Sequence, residues 1–167
     1  MQLTRLLRHR WHDHTDARRA LGDAALARLA QRVAASELRH SGEIRVCVEA
    51  GLPLPYQLRD ATARERAVAV FGELGVWDTE HNNGVLIYLL LAERCIEIVA
   101  DRGLNRHVNA AQWQQISDAM AAAFKTGEFE AGLNQAVDAV DALLVRHFPA
   151  APGDANPNEL PDAPVVL

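Results

Sequence analysis

The sequence predicts an α/β protein, a three-layer α/β/α sandwich with a central mixed sheet flanked by helices. Three observations carry that expectation. Residues 43–50 alternate, with Ile44, Val46, Val48 and Ala50 on one side and Glu43, Arg45, Cys47 and Glu49 on the other, the period of a strand. Residues 85–91 are almost continuously apolar, as in a strand covered on both faces. Before, between and after these runs lie stretches with apolar residues at helical spacing.

Taken in order, residues 3–12 read as a short amphipathic helix carrying Leu3, Leu6, Leu7 and Trp11. Residues 23–40 read as a longer one, with Leu26, Leu29, Ala30, Val33 and Ala34 on its stripe and Gly42 beyond its end. After the strand at 43–50, Pro53 and Pro55 stop extended structure. Thr62-Ala63-Arg64-Glu65 is a capping-box pattern, in which the threonine oxygen accepts an early N–H and the glutamate reaches back. The helix it opens turns Ala67, Val70, Phe71 and Leu74 inward and ends at Gly75. Strands at 85–91 and 95–101 are separated only by Ala92-Glu93-Arg94, so they form an antiparallel hairpin. The first strand reaches the second through a helix, which implies a parallel, right-handed crossover. Helices over 110–125 (Trp113, Ile116, Met120, Phe124) and 128–147 (Leu133, Val137, Val140, Leu144) complete the core. Three regions result: a helical extension over 1–22, the α/β domain over 23–148, and a tail over 149–167. The tail has four prolines within 150–167 and no periodicity, so it is expected to be disordered.

Composition narrows the function classes. A chain of 167 residues, 49% hydrophobic and 23% charged, is of ordinary domain size and needs no disulfide or metal staple. A net charge of −5 argues against nucleic acid as a partner. The early arginines Arg5, Arg8, Arg10, Arg18 and Arg19 read as a solvated helix face. Leu6 and Leu7 are followed at once by Arg8, His9 and Arg10, so no secretory signal is expected. The run from Val85 to Ala92 is too short to cross a bilayer. Cys47 and Cys95 show no metal-site spacing. They read as two buried thiols of a cytoplasmic protein that does not enter the membrane; a disulfide between them requires adjacent strands. GxSxG, Walker A, GxGxxG and HExxH patterns are all absent, and Ser36, Ser41 and Ser117 sit in no nucleophile context.

Topology gathers polar residues at one end of the sheet. Across the hairpin, residues whose numbers sum to roughly 186 lie opposite one another, which sets Asp101 beside Gly84 and Val85. The loop before that strand brings Asp78, Glu80, His81, Asn82 and Asn83, and Glu37 stands one turn back on the preceding helix. Carboxylates and amide carbonyls are hard oxygen ligands suited to Ca²⁺, or to Mg²⁺ with retained waters. Glu37, Asp78, Asn82, Asn83 and Asp101 are the candidate ligands. The same residue types also make Asx-turns and helix caps, and both readings stand for Asp78 and Asp101. His81 reads as a ligand, a proton-transfer group or an exposed loop histidine. Arg102 and Arg106, near His107, are placed to hold an anion or to pair with the acidic loop. His9, His12 and His14 share no helix face and read as solvated.

The ordered series Ser41-Gly42-Glu43-Ile44-Arg45-Val46, Gly75-Val76-Trp77, Asn82-Asn83-Gly84-Val85-Leu86-Ile87, Cys95 to Leu104 and Phe124-Lys125-Thr126-Gly127-Glu128-Phe129 resembles the TPM domain family over about residues 25–147. The resemblance implies the three-layer fold and a divalent-cation site at the loop-bearing end. It also implies a part in maintaining or assembling protein complexes at membranes, and, from a plant member, acid phosphatase activity. The chain departs from many members in showing no export signal and no glycine-rich membrane tail. Three functions follow as expectations: an accessory domain that binds a cation and a protein partner, a metal-assisted phosphatase, and an interaction module without a site.

Overall fold

The structure is a computed structural model describing residues 5, 9, 14–151 and 158–167. In chain order its elements are α1 (His14–Leu21), α2 (Asp23–Glu37), β1 (Ile44–Glu49), α3 (Leu54–Leu58), α4 (Ala63–Glu73), β2 (Val85–Leu90), a 3₁₀ turn (Leu91–Glu93), β3 (Cys95–Ala100), α5 (Arg102–Asn105), α6 (Ala110–Thr126), α7 (Phe129–His147) and β4 (Val165–Val166). The strand order is β3-β2-β1-β4. β1 and β2 run parallel from Ile44↔Val85 to Glu49↔Leu90, and β2 and β3 run antiparallel from Val85↔Ala100 to Leu90↔Cys95. The hairpin register is one residue tighter than the turn arithmetic gave.

Side-chain parity sorts the core into two layers. Ile44, Val46, Val48, Val85, Ile87, Leu89, Ile96 and Ile98 pack with Leu29 and Val33 of α2, Met120 and Phe124 of α6, and Leu133, Val137, Val140 and Leu144 of α7. On the other face, Cys47, Leu86, Tyr88, Leu90 and Val99 pack with Ala63, Ala67 and Val70 of α4. This is the expected α/β/α sandwich. The Thr62–Glu65 capping box is formed, and α4 stops before Gly75 in the left-handed region, φ 67°. Two bidentate pairs, Arg28–Glu130 and Arg32–Asp138, tie α2 to α7 at 2.6–2.8 Å across an exposed seam; such surface pairs fix orientation more than they stabilise.

Three expectations change. β1 is not half-buried: every one of its six residues is buried. It lies inside the sheet, so its charged face is covered as well. Glu49 is gripped by Arg66 of α4 at 3.0–3.1 Å and accepts the Tyr88 hydroxyl at 2.5 Å, while Arg66 also reaches Glu73 at 2.8 Å and stacks on the Tyr56 ring. Nor is the tail structureless where it is described. Residues 158–167 run along the far edge of β1: Leu167 N–H donates to Val48 O at 2.9 Å and Ala50 N–H donates to Leu167 O at 3.1 Å. Arg45 donates to the carbonyls of Pro161 and Ala163, and Glu43 accepts the amides of Glu159 and Leu160, both at 3.2 Å. Buried charges need such partners; the strap is where they find them. Residues 152–157 of the expected tail lie outside the described residues, as does most of the expected helix over 3–12.

The third change concerns the N-terminal segment. His9 is not solvated: it is 3% exposed, its Nδ1 accepts the Leu52 amide at 3.1 Å and its Nε2 sits 3.0 Å from Glu93. Arg5, likewise, is no solvated-face residue but reaches Glu93, Asp60 and the Ala61 carbonyl. His12 and the side chain of His14 lie outside the described residues. Cys47 and Cys95 are both free thiols, with β2 standing between their strands.

Two outcomes are expected. Arg66→Ala leaves the Glu49 carboxylate buried without its cation, so urea unfolding should show a loss of about 3–5 kcal/mol. The second concerns pH. Burial lifts the Glu37 carboxyl from its ordinary 4.5 to about 8, outweighing the Ile44 amide it accepts, with Glu43 and Asp162 nearby adding to the rise. The folded state thus holds a proton that the unfolded chain releases. Stability is fully present below about 4.5 and falls as pH rises toward about 8. Urea midpoints compared across that interval should drop less in Glu37→Gln than in the wild-type chain.

Candidate functional site

The β2–β3 end is built by the backbone before any side chain acts. Asp101 N–H donates to Gly84 O at 2.9 Å, and Gly103 N–H donates to Asn82 O at 2.8 Å. Asn82 itself adopts φ 53°, a left-handed conformation that asparagine tolerates. Glycine is required at two of these points. A Cβ on Gly84 would lie 2.0 Å from Val76 O, and one on Gly103 would lie 2.5 Å from Asn82 O. The loop and the hairpin end are thereby locked together.

Asp101 is 7% exposed. Its Oδ1 caps α5, accepting the Arg102 amide at 2.6 Å, with the Arg102 Nε at 3.9 Å. Its Oδ2 is buried and has no hydrogen-bond partner among the described residues. Asn83 is fully buried; its N–H donates to Thr79 Oγ1 and its Nδ2 donates to Ser41 O at 3.0 Å, while Oδ1 is left without a partner. Strand parity sets these two side chains on opposite faces of the sheet. Asp101 continues the series of Val99, which packs toward α4, and Asn83 continues that of Val85, which packs toward α7.

The other candidates stand apart. Asp78 is exposed on the loop. Glu37 accepts the Ile44 amide at 3.0 Å and lies beside Glu43 and Asp162, under the C-terminal strap. The rim is therefore split: the Asn82–Gly84 loop is bonded to the Asp101–Gly103 turn through Gly84 O and Asn82 O, with Asn83 and Asp101 turned to opposite faces, while Glu37 belongs to a separate carboxylate group. Among the described residues no set of three or more His, Cys, Asp or Glu side chains is grouped to hold a metal ion. Ca²⁺ takes six to eight oxygens, and the described residues form no closed cage of that kind. Glu80 meets the strap through its N–H, which donates to the Glu159 carboxylate at 3.1 Å.

A basic pocket adjoins Asp101. His81, Asn82, Arg102, Gly103 and Arg106 line a cavity of about 240 Å³. Beyond it, the rings of His107 and His147 stack at 4.7 Å, and burial together with the neighbouring His107 and Arg146 lowers the His147 pKa. The buried group of Glu49, Arg66 and Tyr88 was missed in the sequence, where Glu49 looked like an outward strand residue. Its signal was available: a strand joined in parallel to an apolar neighbour has both faces covered, so its charges must be paired.

No helix among the described residues is long and apolar enough to cross a membrane. Comparison with known proteins follows the same lines. Curated protein sequences give no match. Among solved structures, the chain is similar to the BA42 protein of the psychrophilic bacterium Bizionia argentinensis, with 28% identity over 87% of this chain and 94% of that one and a TM-score of 0.74. It also shares its fold with the N-terminal domain of a P. gingivalis protein, at 21% identity, coverage of 78% and 82%, and a TM-score of 0.58. The family model for the TPM domain matches residues 14–143, most of the chain and the whole sheet apart from the β4 strap. With the mixed sheet, the loop-locked hairpin end and this match together, the chain belongs to the TPM domain family.

Proposed function

We propose that this protein is a non-enzymatic accessory domain that holds a divalent cation, Ca²⁺ or Mg²⁺, weakly at the Asp101 end of its sheet and engages a protein partner there, in the maintenance or assembly of protein complexes. One observation carries the cation: Asp101 Oδ2 is buried without a partner. A buried carboxylate oxygen left unsatisfied is costly, and a cation or water is what satisfies it. Asn82 and the exposed Asp78 are the supporting donors, through side-chain or loop carbonyl oxygens and bound water, whereas the buried Asn83 side chain stands on the other face of the sheet. Glu37 is a poorer candidate, because its carboxyl serves the strap side of β1. The two free cysteines suit a reducing, cytoplasmic setting.

A second reading has its own support. The basic pocket of His81, Arg102 and Arg106 adjoins the carboxylate, the pairing of ion and anion donors that metal-assisted phosphoryl chemistry uses.

Amide NMR during Ca²⁺ titration tests the first reading. Saturable shifts at Asp101, Asn83 and Asn82 at millimolar cation are expected, and their loss in Asp101→Asn. Shifts confined to Glu37 and Glu43, or none, would reject Asp101 as the anchor. For the second reading, phosphatase activity that falls at least tenfold in Asp101→Asn would make the protein an enzyme; activity equal in both chains belongs to a contaminant.

A further inference from the structure

The two edges of the sheet are treated differently by the fold. Along β1 the outer edge is filled by the chain's own β4, through Leu167 and two reciprocal backbone bonds. Along β3 the outer edge has no strand among the described residues. Its backbone directions follow from the ladder. Val85 N–H donates to Glu43 O on the β1 side, whereas Asp101 N–H donates to Gly84 O. Cys95, Glu97 and Val99 therefore bond to β2, and Ile96, Ile98 and Ala100 turn their N–H and C=O outward.

Two of those three carbonyls are closed by side chains. Arg64 Nη1 donates to Ile98 O at 2.5 Å, and Asn105 Nδ2 donates to Ala100 O at 2.7 Å. The three N–H groups donate no hydrogen bond among the described residues. A row of donors two residues apart, about 6.8 Å between successive N–H groups, matches the carbonyl row of an extended peptide backbone.

The middle of this edge, Glu97 and Ile98, lines a groove of about 570 Å³ between α4 and α6. Its two walls differ. On the α6 side stand Trp113 and Val108, continuing the parity of Ile98; on the α4 side stand Arg64 and Glu97, 3.6 Å apart, with the Arg64 side chain 51% exposed. Arg64 is thus open to a second carboxylate.

We propose that the β3 edge is a docking site for an extended peptide segment of a partner protein, added as a short strand with apolar side chains toward Trp113 and acidic side chains toward Arg64. The occupant pairs with Ile96 and Ile98 and displaces Arg64 from Ile98 O, which frees the guanidinium for a carboxylate of the occupant; Asn105 keeps Ala100 O, so the added strand is short, as β4 is on the opposite edge. Strand addition of this type draws affinity from main-chain bonds and selectivity from alternate side chains. It does not depend on the cation reading, since none of these residues belongs to the Asp101 rim.

The test uses the whole chain, with the end-capped peptide Val-Glu-Val-Glu-Val as probe and Val-Lys-Val-Lys-Val as its charge-reversed control. The first peptide should shift the amides of Ile96 and Ile98 and the Trp113 indole, slow the hydrogen exchange of those amides, and bind at least about fivefold more tightly than the second. Ile98→Pro removes the central donor and should abolish binding; should that chain fail to fold, Trp113→Ala keeps the backbone donors and should still weaken binding at least about fivefold. The proposal is overturned by an absence of edge shifts at millimolar peptide or by equal binding of both peptides. Binding unchanged in the folded variants also overturns it. So does a concentration-dependent dimer that perturbs the same amides without peptide, which would make a second copy of the chain the occupant.

Discussion

Three charged side chains on one face of β1, Glu43, Arg45 and Glu49, constrain most of what surrounds them. Each is at most 8% exposed. Charges so placed are tolerable only when paired or fully hydrogen-bonded. The chain meets the requirement with two separate pieces of structure. Glu49 is answered from α4 by Arg66, which in turn is shared with Glu73 and Tyr56. Glu43 and Arg45 are answered by main-chain amides and carbonyls of the C-terminal strap. One helix and one extended segment are thus positioned by polar need on a strand whose other face is held by apolar packing alone.

That division also separates two carboxylate groups that looked like one in the sequence. Glu37 and Glu43 lie under the strap, where burial raises both pKa values and Asp162 adds to the effect. Protonation, amide donors and the strap itself relieve their charge, so they have little call for a metal ion. Asp101 lies at the opposite margin of the sheet, beyond β2, and its relief is incomplete. A carboxylate is therefore fully answered at one edge of the sheet, while at the other Asp101 keeps one oxygen without a hydrogen-bond partner among the described residues.

The layers, the crossover and the hairpin were legible because they rest on local signals. The Thr62–Glu65 box, the short turn at Glu93-Arg94 and the stripes of α6 and α7 are each set by neighbouring residues. What was not legible depended on partners far apart in sequence. Nothing near Pro161 or Val165 announces a strap, because its bonds are to Arg45 and Val48. His9 appeared solvated for the same reason: its partners are Leu52 and Glu93. The rim was legible only in part. Hairpin register set Asp101 at the Gly84–Val85 end to within one residue, but closeness along the strand is not convergence of side chains, and parity turns Asn83 and Asp101 to different faces.

Capping and the proposed cation, rival accounts of Asp101 in the sequence, would use different atoms. Oδ1 is committed to the Arg102 amide, and this fixes the carboxylate plane. Oδ2 is then aimed by the cap and has no bond of its own. A cap that orients a carboxylate also removes the rotational freedom an ion would otherwise have to freeze on binding, which favours a ligand at the remaining oxygen. The adjacent Arg102 opposes it, since its guanidinium at 3.9 Å competes for the same negative charge. With 84% of that side chain exposed, water screens much of the competition. On the proposed cation reading, an anchored oxygen beside a solvated guanidinium would hold an ion weakly, and that ion would keep most of its water.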